Sequence, residues 1–175
     1  MRFKVQTTVM AIIFIFNTRQ CRSGQGDAES GNRYFLGGIS ELKAGHAQAA
    51  VERFQKGIQA GPQIADNYYW MGLIFLYDAQ YTQAIPWLEQ AIERQSSDFH
   101  VHRDLGLCYL KLNFVGKARA HMEEAVRLNP SSLSSRFNLG LIYARMGFWP
   151  QAWREFHLAV TMGESKETFQ ARPSP

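Results

Sequence analysis

The side chains able to do chemistry are few and scattered. There are five histidines, His46, His100, His102, His121 and His157. No two of them have the i, i+4 spacing that lets two imidazoles share a metal on one helix. His100 and His102 lie two apart and leave a helix on different faces. His100 and Asp104 do lie four apart, but they supply only two ligands and read as a surface polar pair. Ser131, Ser132, Ser134 and Ser135 cluster where a helix would begin, and serine there caps free backbone N–H groups. As nucleophiles they would need an adjacent base, and none is offered. Glu123 and Glu124 read as a solvated helix face, and no Gly-rich phosphate loop occurs. The two cysteines, Cys21 and Cys108, are too few for a disulfide framework or a thiolate-rich zinc site. Cys108, on an apolar helical stripe, reads as a small buried hydrophobe. These residues point to a protein that is not an enzyme, with no catalytic residues, no metal and no cofactor.

What remains is architecture. The chain has 175 residues, 46 % apolar and 19 % charged, enough to bury a core and too apolar for wholesale disorder. The net charge of +4 is local: Arg2, Lys4, Arg19 and Arg22 precede the first acidic residue, Asp27, and from Asp27 onward fifteen basic residues face fifteen acidic ones. A body so balanced lacks the clustered basic face of a nucleic-acid binder.

The first residues read as a targeting segment. Arg2 and Lys4 precede the apolar run Val9 to Phe16, which is followed at once by Asn17, Thr18 and Arg19. Eight apolar residues fall well short of the roughly 20 a membrane-spanning helix needs; they match the core of a secretory signal peptide. Cys21 and Ser23 place small residues suitably for cleavage after Ser23, and Gly24-Gln25-Gly26 offers a second choice. This gives a signal peptide over 1–23, a flexible linker over 24–30, and a periplasmic or secreted product with no membrane span. A lipid anchor on Cys21 is disfavoured, because Arg19-Gln20 stand where small or apolar residues belong.

Beyond the linker the sequence repeats. Gly38, Gly72, Gly106 and Gly140 are spaced by 34 residues, and so are Ala50, Ala84, Ala118 and Ala152. A bulky apolar residue follows each alanine by four: Phe54, Leu88, Met122 and Phe156. Three further on come Gly57, Ala91, Ala125 and Ala159, all small. Within one period the apolar residues trace two amphipathic helices, Val101 to Leu112 and Val115 to Val126 in the third copy. Gly45, Asn113 and Gly147 mark the break between helices, and Pro62 and Pro130 close two copies. Glycine normally weakens a helix interior by about 1 kcal/mol, so its recurrence predicts a close helix–helix approach. Pro86 lies inside the second helix of copy two and predicts a late start or a bend. Trp149 and Trp153, four apart, predict a helix-packing stripe, and Trp70 and Trp87 read as core.

These columns resemble the tetratricopeptide repeat. Leu105-Gly106, Tyr109, Ala118, Met122, Ala125 and Pro130 occupy that family's signature positions. Leu139-Gly140, Tyr143, Ala152, Phe156 and Ala159 do so again, as do Met71-Gly72, Phe75, Ala84, Leu88 and Ala91; the first copy departs, with Gly37 and Glu41. The resemblance implies an all-α fold, a right-handed α-solenoid of four helix-turn-helix units over 31–64, 65–98, 99–132 and 133–164, with a short tail over 165–175. The tail, or another molecule, is left to cover Val160.

The resemblance further implies that the first helices line a concave groove. Its columns place there Phe35, Ile39, Tyr69, Leu73, Tyr77, Arg103, Leu107, Lys111, Phe137, Leu141 and Arg145, with Lys43 and His100 alongside. The floor is apolar and aromatic with cations at its edges. Phe35 and Ile39 stand where the family's carboxylate-binding clamp has Lys and Asn, which argues against that clamp. The expected partner is a protein or peptide segment, apolar with some acidic character, with Arg103 and Arg145 meeting its carboxylates. The expected function is a protein-binding scaffold in an envelope or secretory-pathway assembly; a self-associating structural solenoid, or a regulatory subunit of an enzyme complex, is the alternative.

Overall fold

A computed structural model of the protein describes residues 28–94 and 97–170, with side chains over 29–94 and 97–163. The signal segment 1–23, linker residues 24–27 and the end of the tail, 171–175, lie outside the described residues. Among those described there are eight helices and no strand: α1 (Ala28–Lys43), α2 (Ala47–Ala60), α3 (Ala65–Tyr77), α4 (Tyr81–Arg94), α5 (Phe99–Lys111), α6 (Val115–Leu128), α7 (Leu133–Arg145) and α8 (Trp149–Gln170). No described helix is long and apolar enough to cross a membrane.

The period is written into the turns. Gly45 (φ +82°), Ala79 (φ 57°), Asn113 (φ 64°) and Gly147 (φ +79°) all adopt the left-handed conformation between paired helices. The next residue's N–H then reaches back to the preceding helix: His46 to the Glu41 carbonyl (2.9 Å), Gln80 to Phe75 (2.8 Å), Phe114 to Tyr109 (2.8 Å) and Phe148 to Tyr143 (2.9 Å). This closure satisfies carbonyls a helix end would otherwise orphan. Longer connections end in caps: Asp98 accepts from the His100 N–H at 2.8 Å, and Ser132 from the Ser135 N–H at 3.3 Å.

The glycine column is a steric seat for the bulky residue of the partner helix. A Cβ on Gly38 would lie 2.5 Å from Phe54, one on Gly72 2.7 Å from Leu88 and one on Gly140 2.6 Å from Phe156. Ala50, Ala84 and Ala118 are fully buried, and Ala152 is nearly so. Each helix packs on its neighbours in sequence, and the first helices α3, α5 and α7 also touch in succession, whereas the second helices make no comparable contact. The stack therefore curves into a solenoid with the first helices inside.

Three expectations need correction. Pro86 does not delay its helix, for α4 begins at Tyr81, in register with Ala47 and Val115. The carbonyl that Pro86 cannot serve belongs to exposed Thr82, which water can reach. Trp149 and Trp153 do not form a packing stripe; they are 68 % and 74 % exposed. Their counterparts Tyr81, Ile85 and Val115 pack against the core, where the next unit's first helix lies, and no described helix follows α8. Finally, α1 starts at Ala28, inside the stretch read as linker; Arg33 lies one turn beyond Glu29, with 3.5 Å between their charged atoms.

Candidate partner groove

The expected groove residues lie on the first helices, with unequal access. Phe35 and Phe137 rest on the second-helix aromatics Phe54 and Phe156, with ring centroids 6.3 and 5.4 Å apart. Ile39 and Tyr69 are half-buried against the core. Tyr77, Phe137 and Leu141 are exposed, as are Lys43, His100, Lys111 and Arg145. Leu73, read as groove floor, is buried among the core side chains, so it packs rather than presents.

Arg103 also departs from its expected role. Its Nε donates to Asp104 Oδ1 at 2.8 Å and its Nη2 to Oδ2 at 3.1 Å, while the Tyr69 hydroxyl donates to Oδ2 at 2.8 Å. Asp104 is buried, and these donors replace the water it has lost. Burial works against the Arg103 charge, but the Asp104 hydrogen bonds and charge outweigh it and raise the Arg103 pKa. Burial, then the adjacent carboxylate, pushes the Tyr69 phenol far above its ordinary value. Arg103 is thus committed within the fold, and the triad joins α3 to α5. The sequence reading of Asp104 as half of a surface polar pair with His100 is thereby corrected, because packing of α3 against α5 buries the carboxylate and gives it Arg103 and Tyr69 as partners.

The open cations lie one turn further along. Arg145 on α7 donates to the Leu110 carbonyl on α5 at 3.3 Å, joining the third unit to the fourth. Beside it Leu107, Leu110, Lys111, Asn138, Leu141 and Arg145 line a shallow depression of about 360 Å³. Its floor is leucine, its rim carries two cations and one amide, and Lys111 has no carboxylate partner among the described residues. On the far side of the units, Tyr109 donates to Glu89 at 2.7 Å and Tyr143 to Glu123 at 2.8 Å, repeating one inter-unit tie. Burial and then these carboxylates push both phenols up to about 12. The remaining buried carboxylate, Glu155, is held by Arg136 at 2.7 Å.

A family model described as tetratricopeptide repeat matches residues 35–99, 71–132 and 103–152. The chain belongs to the tetratricopeptide repeat family. Its solved structural neighbours include a crystal structure of MamA, at 22 % identity and TM-score 0.73, covering 81 % of this chain and 83 % of that one. A MamA RS-1 double mutant aligns at 25 % identity and TM-score 0.71, over 79 % and 78 % of the two chains. MamA from Desulfovibrio magneticus RS-1 aligns at 26 % identity and TM-score 0.69, over 80 % and 77 %. No curated protein matches the sequence. Tetratricopeptide arrays are interaction scaffolds, and stacked units of this kind create extended concave binding surfaces.

Proposed function

We propose that this protein is a non-enzymatic scaffold that holds an apolar segment bearing acidic residues on the inner face of its third and fourth units. The observation that carries the reading is the depression between α5 and α7, where Leu107, Leu110 and Leu141 form an apolar floor beside Lys111 and Arg145. An apolar side chain seated there loses water to leucine, and a neighbouring carboxylate meets cations that no described carboxylate neutralises. Tyr77 and Phe137, both exposed, extend the contact surface toward the earlier units and across α7.

Selection from a random peptide library tests this directly. Peptides alternating acidic and apolar residues should be enriched on the wild-type chain. Their binding should fall at least about tenfold in Leu141→Ala and in Lys111→Ala, interface truncations of about 1.4 kcal/mol or more. Only the lysine change should also flatten the salt dependence. Enrichment of basic peptides, or binding that ignores both substitutions, would reject the groove.

We further propose that the chain acts outside the cytoplasm, on the strength of the Arg2, Lys4 and Val9–Phe16 pattern. Mass spectrometry of the mature protein should find a start near Gly24; an intact Met1 or a lipid on Cys21 would reject export in this form. Self-association is the second reading, favoured by the exposed Trp149, Trp153 and Val160 on α8. Light scattering across a concentration series should then show growth that Trp153→Glu abolishes.

A further inference from the structure

Charges that cancel over the body of the protein do not cancel along the helices of its third and fourth units. Residues 105–122 and 137–154 surround the turns joining α5 to α6 and α7 to α8. They hold Lys111, Lys117, Arg119, Arg145 and Arg154 and no acidic residue. Arg119 and Arg154 are paired with Glu123 and Glu155. Lys111, Lys117 and Arg145 are exposed, with no carboxylate partner among the described residues. Arg145 donates to the Leu110 carbonyl at 3.3 Å, which sets the two turns side by side.

The same turns expose aromatic rings where a helix start ordinarily carries a polar cap. Phe114 is the N-cap of α6 and makes no side-chain cap hydrogen bond, although Ser, Thr, Asp and Asn are the residues that satisfy such an end. Phe148 holds the same place before α8. Each phenylalanine N–H donates to the tyrosine five residues back, and each carbonyl accepts from the alanine four ahead. Their rings lean on those tyrosines with centroids 6.3 and 6.4 Å apart, yet Phe114 is 57 % exposed, Phe148 40 % and the adjoining Trp149 68 %. Rings at turn tips, rather than within a groove where a single nucleic-acid strand would stack, suit a flat surface that is anionic at its face and apolar beneath. We propose that this edge is a peripheral docking surface for an anionic lipid bilayer. Phe114, Phe148 and Trp149 enter the headgroup region, while Lys111, Lys117 and Arg145 meet lipid phosphates. Lys111 and Arg145 also rim the depression between α5 and α7, but Phe114, Lys117 and Trp149 lie outside it, so the two surfaces can be tested apart.

The test follows hydrogen exchange of the full chain by mass spectrometry, with vesicles of phosphatidylcholine alone and of phosphatidylcholine mixed with phosphatidylglycerol. The apolar run Val9 to Phe16 has its own affinity for lipid, so the readout is the footprint and not binding as such. Peptides covering 110–117 and 144–151 should gain protection on the phosphatidylglycerol vesicles alone, and added salt should reverse it. Lys117→Glu should raise the lipid concentration for half-protection at least about fivefold, and Phe114→Ser and Trp149→Ser about tenfold or more. Leu141→Ala, in the depression, should leave the footprint unchanged, and circular dichroism should show every variant folded. Equal protection on both vesicle types, protection confined to other surfaces, or a footprint that survives Phe114→Ser would overturn the proposal. So would the same footprint raised by a single-stranded oligonucleotide. The footprint on the unaltered chain decides the matter even if a variant misfolds.

Discussion

Substituting alanine along the glycine column separates two effects that act in opposite directions. Replacing a helical glycine by alanine gains up to about 1 kcal/mol of helix propensity. Against this stands the space available to the new methyl. At Gly72 a Cβ would lie 2.7 Å from both Cγ and Cδ2 of Leu88 and 3.4 Å from the Leu88 backbone nitrogen. Leu88 is fully buried, so it has nowhere to go unless α3 and α4 separate. Overpacking of that kind costs about 1–3 kcal/mol, leaving Gly72→Ala destabilised by about 1–2 kcal/mol after the propensity gain. For a chain of this size the melting temperature should fall by roughly 3–6 °C. At Gly106 the nearest atom is the flexible Met122 methyl at 3.2 Å, with the Ala118 carbonyl at 3.3 Å, and the net change should stay within about 1 kcal/mol of zero. Gly116 on α6 has nothing within 4 Å, so alanine there should stabilise. Thermal and urea denaturation of the three variants, followed by circular dichroism, reads the order directly. A Gly72→Ala protein that melts at or above the wild type, or a Gly116→Ala protein that loses as much, would refute the close-approach reading of the column.

Ala118→Leu should lower the urea midpoint by about 1–3 kcal/mol of stability, since Ala118 is fully buried, while Lys117→Leu on the exposed side should hardly move it; equal shifts would break the repeat register. Ala79→Gly should raise the melting temperature, because Ala79 carries a Cβ at φ 57° and the left-handed conformation costs a residue with a side chain about 1–2 kcal/mol, more than the backbone entropy glycine adds. The same change at Ala84, inside α4, should lower it. Burial, and then the charge of Asp104, pushes the Cys108 thiol up to about 12. Its alkylation at pH 8 should therefore be slower in the folded protein than in urea by on the order of a thousandfold, as mapped on the Cys108 peptide by mass spectrometry. Comparable rates in the two states would show that the third unit opens readily.

Neighbour-to-neighbour packing leaves a trace in every copy, and for that reason it was legible before any coordinates. The glycine at 38, 72, 106 and 140, the alanine twelve residues on and the bulky residue four further specify one hairpin and its repetition. The left-handed turn recurs at Gly45, Ala79, Asn113 and Gly147, though the alanine at 79 hides it from a reading that looks for Gly or Asn. Interactions occurring only once leave no column. The Tyr69 hydroxyl that completes the Asp104 triad and the meeting of His102 with His121 each depend on side chains from different helices reaching one point, and the burial of Asp104 beside Arg103 depends on how those helices pack. The burial of Leu73 and the exposure of Trp149 and Trp153 are likewise tertiary outcomes, because a residue's type and period say which face of its helix it occupies but not whether a neighbour lies over that face. Sequence alone determined the unit and its period. Which cations remain open on the first helices, Lys111 and Arg145 rather than Arg103, was decided only when packing of α3 against α5 buried Asp104 beside Arg103 under the Tyr69 hydroxyl.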